Sequence, residues 1–105
     1  INKVIKSYKK KGNILSNNQI LIQKQTSNII SSGVAFTRSP NNQPYYIINF
    51  DDSKNTDSVT KGEVGNVIKI FRYIKPTKIP FKWKKLIKAV QEIENIVKID
   101  RLDIE

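Results

Sequence analysis

The chain has 105 residues, enough for one domain with a modest core. Its apolar share of 38% is low for a globular protein, yet too high for a disordered one. Cysteine and histidine are both missing, which excludes disulfides, thiolate chemistry, a histidine general base and the commonest metal ligand from these residues.

The formal net charge is +10, and lysine outnumbers arginine about five to one. Base-reading and phosphate-clamping surfaces favour arginine for its bidentate fork. The lysines also fall on most of the expected elements rather than on one. The charge is therefore read as compositional, carried on solvated faces, and nucleic acid is not an expected partner. No apolar run approaches the ~18–20 residues of a membrane span, and no signal-peptide pattern opens the chain. The expectation is a cytoplasmic protein with no membrane partner. The chain opens on Ile1, contains no methionine and stops within an apolar–acidic alternation at Glu105. It reads as an excised piece of a larger protein, with residues 1–105 as a single unit.

Ile1, Val4, Ile5 and Tyr8 have helical spacing over residues 1–10, with Lys9, Lys10 and Lys11 at the C-terminal end and Gly12 as the stop. Asn13 to Asn18 is a polar loop. Gln19 to Gln25 alternates and predicts a strand. Thr26 to Ser31 is a turn in which Ile29 and Ile30 are expected to be buried. Ser32 to Arg38 is the next strand, Asn41 to Pro44 a turn, and Tyr45 to Phe50 the returning strand. One of Tyr45 and Tyr46 faces the core and the other the surface. Asp51 to Asn55 is a loop, Thr56 to Thr60 a short strand, and Lys61-Gly62 a turn.

Val67 to Phe71 is strand-like by propensity. Pro76 and Pro80 bracket a connector that reads as non-helical. Lys82 to Val97 gives the clearest helix, with Trp83, Leu86, Ile87, Val90, Ile93, Ile96 and Val97 on one stripe. Arg101 to Glu105 is a final strand. Strands, then a long helix, then a strand predict an α+β fold: a largely antiparallel sheet with one long helix packed on a face.

Three segments carry a resemblance. Ser32-Gly33-Val34-Ala35-Phe36-Thr37-Arg38-Ser39-Pro40 leads into Tyr45-Tyr46-Ile47-Ile48-Asn49. Asp57-Ser58-Val59-Thr60-Lys61-Gly62 follows, and Leu102-Asp103-Ile104-Glu105 closes the chain. In this order they resemble the nucleotide-binding domain of phosphoenolpyruvate synthases and pyruvate phosphate dikinases, which belongs to the ATP-grasp superfamily. The family pattern is Ser-Gly-Val-x-Phe-Thr-x-Asp/Asn-Pro, an acidic-Val-Val-x-Gly segment, and an Asp-Ile-Glu strand. Ser39 replaces the usual Asp or Asn, and the family's Gly-Leu-Gly-Glu run is absent. The resemblance spans residues 20 to 105 and places the chain in a divergent branch.

Asp103 and Glu105 are two apart in an expected strand, so their side chains share a face while Leu102 and Ile104 point the other way. Two carboxylates on one face suit Mg²⁺, which is typically held by one or two carboxylates together with phosphate oxygens. The plain alternative is a solvated strand edge. The resemblance implies that Glu105 binds Mg²⁺, with Asp103 helping to hold the metal and the nucleotide. It also implies that Gln23, closing Ile20-Leu21-Ile22-Gln23, lies at the adenine-side hinge. Arg38, at a strand tip, is a candidate for phosphate oxygens, and Asp57 stands at the family's acidic position.

The implied function is the ATP-binding portion of a phosphotransferase, with ATP and Mg²⁺ as cofactors. Its other parts, a phosphate-loop subdomain and a phosphohistidine domain, would be its partners. The piece alone is expected to be inactive, since it carries neither a glycine-rich phosphate loop nor a carrier histidine. The alternatives are a small basic module that binds nucleic acid or an acidic protein without catalysis, and a degenerate ATP-grasp piece with a structural role.

Overall fold

The computed structural model describes residues 1–12, 17–53 and 65–105. Helix α1 spans Asn2–Lys10, strand β1 Ser32–Phe36, β2 Tyr45–Asp51, β3 Asn66–Phe71, helix α2 Phe81–Val97 and β4 Asp103–Ile104. The four strands form one sheet in the order β3-β2-β1-β4, and every pairing is antiparallel. The α+β class expected from the element order is the one observed.

Alternation along the strands decides which residues meet α2. Ala35 of β1 pairs with Ile48 of β2 and Ile104 of β4, and Ile48 and Tyr46 pair with Ile68 and Ile70 of β3. These side chains line one sheet face with Phe50. Against it α2 sets Trp83, Ile87 and Val90 at helical spacing, and together they make the core. Trp83 meets the Phe50 ring edge-on, with centroids 4.7 Å apart. Tyr46 is the inward member of the tyrosine pair and Tyr45 the outward one.

The β1–β2 hairpin is closed by Ser39. Its backbone N–H donates to the Gln43 carbonyl at 3.4 Å and its hydroxyl accepts from the Gln43 N–H at 2.9 Å. Asn42 takes the left-handed conformation the turn requires, with φ of 59°. An Asp or Asn at position 39 would offer the same acceptor, so the serine keeps this local function. Helix α2 begins after Pro80, whose ring fixes an extended entry, and ends on Lys98, whose N–H reaches back to the Glu94 carbonyl at 2.8 Å.

Several sequence expectations are corrected. Gln19 to Gln25 forms no strand: Leu21 and Ile22 are exposed, and no ladder pairs the segment. Alternating apolar residues make a strand only where a neighbour's backbone pairs with them, and no strand of the sheet pairs with this segment. Ile30 is exposed rather than buried. The connector after β3 contains one 3₁₀ turn, Pro76–Lys78, tolerated because a proline in the first turn lacks only an N–H that the helix would not use. β4 covers Asp103–Ile104 rather than the whole of Arg101 to Glu105. The apolar stripe of α2 stops at Val90, and Ile93, Ile96 and Val97 stay exposed. The strand expected over Thr56 to Thr60, the Lys61-Gly62 turn and the loop Asn13 to Asn18, apart from Asn17 and Asn18, lie outside the described residues.

Candidate functional site

The segment after α2 reaches the sheet through Thr37, which has no exposed surface. The Thr37 hydroxyl donates to the Asp100 carbonyl at 2.8 Å and accepts from the Leu102 N–H at 2.8 Å. The Thr37 N–H donates to the Leu102 carbonyl at 3.0 Å. One buried side chain thus satisfies two backbone groups and fixes where β4 enters, and with it the acidic end of the chain. Periodicity gives no hint of this role, because a threonine at the end of a strand is ordinary on propensity alone. Thr37→Val keeps the shape and removes both hydroxyl bonds, leaving two backbone groups without partners. The expected loss is about 2–3 kcal/mol in a denaturant melt. The amides of Leu102 and Asp103 should lose hydrogen-exchange protection before the rest of the sheet.

Arg38 adds a second tie. Its Nε and Nη2 both reach Asp100 Oδ2, at 2.8 and 2.7 Å. The bond to Arg38 holds the Asp100 carboxyl below the ordinary carboxylate range, outweighing a small opposing effect of desolvation. Arg38 is therefore engaged within the domain, where the sequence had left it open to phosphate.

Gln23 and Glu105 border the same hollow. Both line a cavity of about 490 Å³ between β1, α2 and the segment leading into β1, with Phe50, Leu86 and Ile104 supplying apolar wall. Asp103 does not share it. It sits opposite Phe36 in the β1–β4 ladder and lines a separate hollow of about 300 Å³ with Arg38 and Arg101. β4 ends at Ile104, so strand alternation does not carry on to align Glu105 with Asp103. Asp57 lies outside the described residues. Among the described residues no cluster of three acidic side chains could enclose a metal ion.

A buried ion pair that composition could not reveal stands at the other end of α2. Glu94 takes the position one turn after Val90 on the inward stripe. The Arg72 guanidinium grips it in two places: Nη1 to Oε1 at 2.7 Å and Nη2 to Oε2 at 3.1 Å. Arg72 Nη1 also donates to the Thr37 carbonyl at 2.6 Å, and the guanidinium lies 4.5 Å from the Tyr46 ring centre. Burial pulls the Arg72 pKa down, but the Glu94 hydrogen bond and the nearby charges hold it above its usual value. Burial pushes the Tyr46 phenol up. The arrangement closes the core with charge instead of hydrocarbon.

Comparison with known proteins adds no relative: no family model, no curated protein and no solved structure matches the chain.

Proposed function

We propose that the domain contributes the adenine side and one carboxylate of a Mg·ATP site in a phosphoenolpyruvate synthase-like or dikinase-like phosphotransferase. The observation that carries this reading is that Gln23 and Glu105, far apart in sequence, both line one partly apolar cavity. An adenine ring calls for an apolar slot bordered by a few polar groups, and the cavity has that composition. Glu105 is the carboxylate that this cavity offers a metal shared with phosphates, while Asp103 lines a separate hollow on the other face of the sheet. Mg²⁺ bound this way takes one or two carboxylates and completes its shell with phosphate oxygens and water, so no all-protein cage is required.

Bound there, Mg²⁺ would offset charge on the phosphates during transfer. The chain's own residues have narrower tasks. Glu105 orients the metal. Gln23 and the apolar wall hold the base. Thr37 and the Arg38–Asp100 pair keep the segment that carries Asp103 and Glu105 in place. A phosphate-cradling loop and the accepting histidine belong to other parts of such an enzyme.

The test is a titration of ATP with Mg²⁺ into the 105-residue chain, followed by amide chemical shifts. Millimolar ATP should shift Gln23, Ile104 and Glu105, and Glu105→Gln should weaken the Mg²⁺-dependent part of binding about tenfold. No phosphate should be released. Shifts confined to residues away from the cavity would remove the nucleotide reading. Steady ATP hydrolysis by the chain alone would overturn the assignment of the chemistry to other domains.

A further inference from the structure

The sheet face turned away from α2 carries an aromatic cluster that the cavity does not use. Tyr45 and Phe71 are direct cross-strand partners with ring centroids 5.6 Å apart, and Tyr73 meets Phe71 edge-on at 5.5 Å. Phe71 is 41% exposed and Tyr73 69%. A cross-strand aromatic pair stabilises a sheet by itself, but Tyr73 hides little of its ring from water and adds little to that.

The stretch from β3 into α2 is basic. From Gly65 to Gln91 the sequence contains no Asp or Glu. Lys69 stands two residues before Phe71 on the same face, and exposed Lys75 and Lys78 follow Tyr73 in the connector. Arg72 is turned inward to Glu94, and Lys82 is paired with Asp52 at 3.2 Å. Among the described residues, the strand carboxylates of this face are Asp103 on β4, at the opposite edge of the sheet from β3, and Asp51 at the far end of β2 from Tyr45.

Aromatic rings on adjacent strands of one face, with exposed Lys69 beside them, match the needs of unpaired nucleotides: bases stack on the rings and phosphates meet the cations. We propose that the Tyr45–Phe71–Tyr73 face binds single-stranded nucleic acid. This site is separate from the Gln23–Glu105 cavity and does not depend on the nucleotide reading. In the sequence the charge reads as compositional, because lysine predominates over arginine and is spread over most elements, and no cross-strand pairing of aromatics shows there. The β2–β3 register supplies that pairing.

The experiment is fluorescence anisotropy of labelled single strands of about ten nucleotides with the 105-residue chain. Oligouridylate and oligothymidylate serve as separate arms, and a duplex of equal length as the control. Binding should favour the single strands and fall steeply between about 50 mM and about 200 mM salt. Tyr73→Ala, at an exposed position that leaves the core intact, should weaken binding about tenfold. Phe71→Leu should act in the same direction. Lys69→Gln should lower the salt slope by about 0.7. Tighter binding of oligouridylate than of oligothymidylate would assign the surface to RNA, and the reverse to DNA. No binding at low salt overturns the proposal. So does equal affinity for duplex and single strand together with no effect of Tyr73→Ala, which would reduce the interaction to charge alone.

Discussion

Glu94→Ala is expected to destabilise the domain by about 2–3 kcal/mol, because it leaves the partly buried Arg72 guanidinium without its counter-ion. The side chains of Arg72 and Glu94 keep only 12% and 9% of their surface exposed, so water cannot replace the lost carboxylate at little cost. Arg72 also holds the Thr37 carbonyl and stacks on Tyr46. The loss should therefore spread to the end of β1 and loosen the entry into β4. The control is the double replacement Arg72→Met with Glu94→Leu. It removes both charges and fills the space with hydrocarbon, so its stability should lie within about 1 kcal/mol of the parent chain or above it. Urea melts of the single and double variants check this. A single variant as stable as the parent would show that the pair adds nothing to the closing of the core.

Gly33→Ala is the second large effect, with an expected loss of about 3 kcal/mol or more in the same melts. A methyl group at position 33 would run into the Asn49 carbonyl oxygen and stand 2.8 Å from Phe50 Cα. Both are backbone atoms of β2, held in the ladder by the pairing of Gly33 with Phe50, so no side chain can swing aside to relieve the clash. The strand pair would have to part, and the β1–β2 amides should exchange faster throughout. The glycine of the Ser-Gly-Val segment thus has a structural reason that involves no ligand. The hydroxyl of Thr37 has another, since it ties down the strap that follows α2. Ser39 has a third in closing the hairpin. Much of what makes the 32–40 segment distinctive is explained by strand contact before any nucleotide is considered.

The parts of the fold that could be read in advance are those fixed by local pattern. Tyr45 to Phe50 is a short run of aromatic and β-branched residues after a turn, enough to predict a strand. Lys82 to Val97 repeats apolar residues at helical spacing and forms the expected helix. Local pattern failed at Gln19 to Gln25, which it also predicts to be a strand. A strand is completed by a neighbour's backbone, and no local pattern states whether one is free. It failed again at the end of α2, where Ile93 and Ile96 fit the stripe but the sheet no longer lies beneath them. The charged Glu94 takes the inward position because Arg72, far away in sequence, waits there.

The candidate site divides in the same way. The sequence by itself determined the residue types available: carboxylates at positions 103 and 105, a glutamine at 23, no histidine or cysteine, and a long basic run free of acids. Spacing of two placed Asp103 and Glu105 together, but that inference assumed a strand longer than the two residues that pair. Only the tertiary structure decided that Glu105 borders the same hollow as Gln23, that Asp103 and Arg38 line a different hollow, and that Tyr45 and Phe71 meet on an uncovered face. Each of those is a contact between segments distant in the chain. Such contacts depend on register and on which edges and faces are already occupied, quantities that belong to the folded whole and to no single stretch of it.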